Sequence, residues 1–106
     1  EVTVLYTNRA LAGAEKRLGK GVLGILQGFE EGSSGLTELA VLLHVGMEAA
    51  RIDQRSASRS VSLDDAYQVL DEVGFAGVAG PVMEAIADVV GYAGDGVEDA
   101  PPDPNV

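Results

Sequence analysis

A chain of 106 residues has room for one domain with a modest core, and 46% hydrophobic content is that of a folded chain rather than a disordered one. The formal net charge is −10, and all of it belongs to residues 60–106, which carry ten Asp and Glu and no Lys or Arg, whereas residues 1–59 balance seven basic against seven acidic side chains. This balance argues against a nucleic-acid partner, the absence of cysteine excludes disulfides and thiolate chemistry, and no apolar run approaches the roughly 20 residues that cross a bilayer.

The chain opens on Glu1, with no initiator Met and no basic leader. Val2-Thr3-Val4-Leu5-Tyr6 is a β-prone run, expected to form a strand. A lone strand is unstable, so its partner is expected upstream, as the other half of a hairpin, or in another subunit. Asn8 is the expected N-cap of a helix over Arg9–Leu18, with Leu11, Ala14 and Leu18 on one face and Gly19 as its stop. Val22, Ile25, Leu26 and Phe29 repeat at i, i+3, i+4, i+7 and predict a second short helix ending near Gly32.

Ser33 or Ser34 is expected to cap a third helix from about Leu36 to Ile52. It is apolar on several faces: Leu36, Leu39, Leu43 and Met47 form one stripe, and Val41, Leu42 and Val45 cover others. Such a helix is central in a core or buried by a partner. The Ser- and Arg-rich stretch Arg51–Ser60 reads as an exposed loop. Ser62-Leu63-Asp64-Asp65 is a strong helix start, with a hydroxyl able to accept a first-turn N–H and two carboxylates at the positive end of the dipole. Leu63, Ala66, Tyr67, Leu70 and Val73 carry that helix to Gly74. Pro81 is expected in the first turn of a last helix, whose stripe is Val82, Ile86, Val89 and Val90.

From Gly94 onward the sequence has neither period nor core residues. The expected organisation is therefore a mainly α domain over residues 1–93, of four to five short helices with an N-terminal β-strand, followed by an acidic, Pro/Gly/Asp-rich disordered tail over 94–106.

Constellations for chemistry are missing. His44 is the only histidine and lies among Leu42, Leu43 and Val45, where a packed or rim role outweighs a ligand or base. With no Cys and no second His, a zinc site is implausible. Asp64/Asp65 and Asp71/Glu72 are adjacent pairs, and neighbours on a helix point about 100° apart, so neither pair converges. Gly94-Asp95-Gly96 lacks the ligand spacing of a calcium loop, and Gly19-Lys20-Gly21 lacks that of a phosphate loop. No catalytic, cofactor or metal residue is assigned, and no constellation supports an enzyme.

The order of elements does resemble a known family. The run LYTNRALAGAEKRLG is followed by the helices VLGILQGF, GLTELAVLLHVGM, SLDDAYQVLDEVG and VMEAIADVVGYA. Asn8-Arg9-Ala10-Leu11 resembles an Asn-Ala-Leu helix start and Glu15–Gly19 a Glu-x-x-Leu-Gly helix end. Leu42, Leu43, His44 and Gly46 match a Leu-Leu-aromatic-x-Gly helix, with His44 replacing the usual bulky aromatic. Over residues 1–93 this looks like the tail assembly chaperones of long-tailed phages and gene transfer agents, in which a β-hairpin leads into the first helix.

The resemblance implies a protein of the host bacterial cytoplasm that holds the apolar, helical tape measure protein, or other tail proteins, until the tube polymerises, and that is absent from the finished particle. Leu39, Leu42, Leu43 and Met47 are the candidate partner contacts, with plain core packing as the competing reading. No cofactor, nucleic acid or membrane is implied, and self-association into a homo-oligomer through strand exchange is open. The alternative is an acidic helical interaction or regulatory domain of antitoxin-like type.

Overall fold

In the computed structural model, which describes residues 2–55 and 58–91, the chain forms five helices: α1 (Asn8–Leu18), α2 (Val22–Glu31), α3 (Leu36–Asp53), α4 (Leu63–Val73) and α5 (Phe75–Val90). The tail expected over 94–106 lies outside the described residues.

The expected N-terminal strand, and with it the half-hairpin, is not formed: there is no strand among the described residues. Residues 2–7 are irregular and dock on a helix. The Leu5 N–H donates to the Gly46 carbonyl at 2.9 Å, and the Tyr6 phenol donates to the Leu42 carbonyl at 2.8 Å. Tyr6 is only 5% exposed. A β-prone run needs a strand edge to pair with. Here α3 offers a seat for an aromatic ring at Gly46, and burial of that ring replaces the ladder.

Three helix starts also differ from expectation. Thr7, not Asn8, caps α1: its Oγ1 accepts from the Ala10 N–H at 3.0 Å. The cap of α3 is Gly35 rather than Ser33 or Ser34, because the buried Ser34 hydroxyl donates to the Ile25 carbonyl on α2 at 2.9 Å. Gly35 has no side chain to accept from the first turn; Glu38 instead accepts the Gly35 N–H at 2.9 Å. α5 begins at Phe75, so Pro81 stands inside it rather than in its first turn.

The α4 start is as expected: Ser62 Oγ accepts the Asp65 N–H at 3.1 Å, and Asp65 Oδ2 accepts the Ser62 N–H at 2.9 Å. The stops at Gly19, Gly32 and Gly74 are also as expected, all with positive φ. Of the expected loop, Arg51, Ile52 and Asp53 still belong to α3.

α3 is the hub, with α1, α4 and α5 packed around it. Leu39, Ala40, Val41, Leu42 and Leu43 are buried on successive faces, which accounts for an apolar pattern wider than one stripe. Leu11 and Ala14 from α1, Ile25 and Leu26 from α2, Ala66 and Leu70 from α4, and Val82 and Ile86 from α5 close the core around it. α4 and α5 form a pair bent by 118°, joined by Gly74 alone; no single helix among the described residues is long and apolar enough to cross a membrane.

Candidate partner-binding groove

The sequence-predicted contact residues are placed inside. Leu39 and Leu42 are 0% exposed and Leu43 is 2% exposed, while Met47 is half-buried against the same core. The structure brings all four together, but as the centre of the domain; a partner reaches them only if α3 is uncovered.

The open apolar feature lies beside them. Between α1 and the second half of α3 runs an open groove of about 490 Å³. Its lining includes Leu5, Ala10 and Gly13 from the N-terminal half and Val45, Ala49 and Ile52 from α3, and Ile52 is 60% exposed. Val45, Ala49 and Ile52 fall at i, i+4, i+7, a helical stripe separate from the buried one. Ala10 and Gly13 are small, and the groove lies between α1 and the α3 stripe. The only sequence signal of this stripe is that spacing.

The rim is polar and asymmetric. Arg9 and Arg17 border it from α1, and Glu48 and Asp53 from α3. His44 also reaches the rim, and its two ring nitrogens have different partners. Nε2 lies 2.7 Å from the Val61 carbonyl, which can only accept, so Nε2 carries a proton; Arg17 Nη1 lies 2.8 Å from Nδ1 and can only donate. The contacts therefore select the neutral Nε2–H tautomer. His44 is a structural pin between α1, α3 and the segment leading into α4.

Glu48, one turn on, completes the pin. Its Oε1 accepts the Val61 N–H at 2.7 Å, so both backbone groups of Val61 are held by α3 side chains. Arg51 closes on the same carboxylate through Nε at 3.0 Å and Nη2 at 2.7 Å, and its Nη1 donates to the Ser58 carbonyl at 3.2 Å. The Arg51 hydrogen bonds, followed by that of Val61, hold the Glu48 carboxyl down at about 2.

The paired carboxylates have structural roles in the α4 start. Asp65 is occupied by the Ser62 cap and by a two-pronged contact with Arg59 at 3.0 Å per prong, which lowers its pKa to about 2. Asp64 accepts from Gln68 one turn on at 3.3 Å. Among the described residues no three His, Cys, Asp or Glu are grouped to hold a metal ion. The arrangement offers an apolar trough with charged edges, which can bind a chain of complementary shape.

No protein-family model matches this chain, and no curated protein or solved structure is significantly similar to it.

Proposed function

We propose that this protein is a non-enzymatic assembly chaperone that covers an apolar helical segment of its client, the client being the tape measure protein of a long-tailed phage or gene transfer agent during assembly in the bacterial cytoplasm. The observation that carries the binding role is the open groove between α1 and α3, with its half-buried Leu5, Ala10, Val45 and Ala49 and its exposed Ile52. A helix presenting an apolar stripe to a trough is a recurrent mode of peptide recognition. The order of helix motifs along the chain supports the choice of client. A surplus of ten negative charges supports keeping a sticky client dispersed.

The test is co-expression with a tape measure polypeptide, followed by isolation of the complex. A bulky residue at position 13 supplies the control. A Cβ built on Gly13 has nothing within 4 Å, so Gly13→Phe fills the groove with no clash at its Cβ. The parent chain is expected to yield a complex with client in the supernatant, and Gly13→Phe, still cooperatively folded, to leave the client insoluble. A client that stays insoluble with the parent chain removes the chaperone reading. A plugged variant that rescues the client equally well removes the groove.

A further inference from the structure

The two edges of the groove differ in charge. On α1, Arg9, Gly13 and Arg17 stand at i, i+4, i+8, so two exposed guanidiniums about 12 Å apart along the axis flank a position without a side chain. Arg9 is in no ion pair among the described residues. Arg17 donates one N–H to the neutral His44 ring, and a guanidinium has five. On the opposite wall Glu48 is already paired with Arg51, which leaves Asp53 as the acidic edge. The α1 edge is thus cationic and unneutralised, in a chain whose net charge is −10.

The spacing of that edge matches the apolar wall beside it. Val45, Ala49 and Ile52 extend about 10.5 Å along α3, close to two helical turns, and Arg9 and Arg17 are also just over two turns apart. A helix laid along the groove, with its own apolar stripe on Val45, Ala49 and Ile52, carries one flank along α1. On that flank, residues at i and i+7 or i+8 return to the same side with a rise of about 10.5–12 Å. Carboxylates there meet the guanidiniums in charge-assisted pairs, whereas lysines there bring like charges together. A Cβ built at Gly13 meets nothing within 4 Å, so the flank can approach α1 between the two arginines.

We infer that the groove selects its client by charge: an amphipathic helix of at least two turns whose α1-facing flank carries carboxylates two turns apart, paired with Arg9 and Arg17. This rests on the groove being the client site. The preference runs against the charge of the whole chain. A surplus of ten negative charges attracts basic peptides and repels acidic ones at long range, so a preference for an acidic helix has to come from the local edge.

Alanine-based peptides of about 18 residues, long enough to populate a helix alone, serve as probes. All carry leucines at i, i+4 and i+7, and at two positions two turns apart on one flank they carry Glu, Gln or Lys. Binding to the full chain is followed by the backbone amide shifts of the isotope-labelled protein. The Glu peptide is expected to shift the signals of Ala10, Gly13, Val45 and Ile52. It should bind about tenfold more tightly than the Lys peptide at low salt, with the Gln peptide between them. The gap should close in about 0.5 M salt, where exposed charges are screened. In the double variant Arg9→Glu, Arg17→Glu the order should reverse. Arg9→Glu alone, which sets an anion in the first turn of α1 where the helix dipole favours it, should narrow the gap with the fold intact.

Equal affinity of the three peptides, tightest binding of the Lys peptide, an order that ignores both variants, or no binding of the Glu peptide at the groove overturns the inference. So do the same shifts on concentrating the chain without peptide, since a second copy would then be the occupant. Equal affinity with shifts confined to the groove removes the charge selection and leaves the groove reading standing. That reading is decided by the co-expression assay with Gly13→Phe, which makes no reference to charge.

Discussion

Gly46 and Gly13 are both helical glycines, and their surroundings give them opposite roles. At Gly46 a Cβ would lie 2.6 Å from Tyr6 Cζ and 2.7 Å from its hydroxyl oxygen, while at Gly13 it would meet nothing. The Tyr6 ring is held there by its bond to the Leu42 carbonyl, and burial pushes the phenol's pKa up, so it remains a donor. Alanine favours a helix by about 1 kcal/mol over glycine at either site. At Gly46 that gain is overtaken by displacement of the ring and of its hydrogen bond, for a net loss of about 2 kcal/mol. Gly13→Ala is expected to raise the urea midpoint and Gly46→Ala to lower it. If both variants move the midpoint the same way, the seat assigned to Tyr6 is wrong.

At the scale of elements, Gly74 is the joint on which the α4–α5 geometry turns. Its φ of 93° and ψ of 154° lie in a region open essentially to glycine alone, whereas Gly19, at 73° and 22°, is in the left-handed helical region that asparagine tolerates. Gly74→Asn should therefore cost about 1–3 kcal/mol, and Gly19→Asn well under 1 kcal/mol, in thermal unfolding followed by circular dichroism. Equal costs would show that the α4–α5 turn does not depend on this conformation.

The same contrast explains what was legible in the sequence. Helix ends at Gly19, Gly32 and Gly74 were readable because a stop is set locally, by a backbone conformation that glycine takes freely. The Ser62 start of α4 was readable too, but the cap of α3 was not, because neighbouring residues are competent caps and tertiary contacts choose among them: Ser34 is drawn to Ile25, and Gly35 is served by Glu38. The α2 start is served from a different helix, by Glu15 accepting the Val22 N–H at 2.7 Å. The buried stripe of α3 was legible from its period. The groove was not, because its α1 and α3 walls are 27 or more residues apart in sequence and neither is unusual alone.

For the whole molecule, three carboxylates that hold helix starts and the segment between α3 and α4 shape the response to acid. Glu48 holds Val61 and Arg51, Asp65 holds Ser62 and Arg59, and Glu38 holds Gly35, its pKa lowered chiefly by that backbone N–H. Each is ionised more readily in the folded chain than in the unfolded one. Their contribution is thus fully present above the unfolded values, near 4.5 for Glu48 and 3.8 for Asp65, and is lost as pH falls toward their folded values of about 2. Glu48→Gln keeps an oxygen that can accept from Val61 but loses the charge facing Arg51. Because the carboxylate is part-buried but still 26% exposed, solvent screens the pair and the expected cost near pH 7 is only about 1 kcal/mol. The cost should shrink as pH falls from about 5 to about 2, because the parent's carboxylate is itself becoming neutral. Urea unfolding of parent and variant across that range reads the difference directly. A gap independent of pH would mean that Glu48 acts by shape alone, and the fastening of Val61 would then owe nothing to its charge.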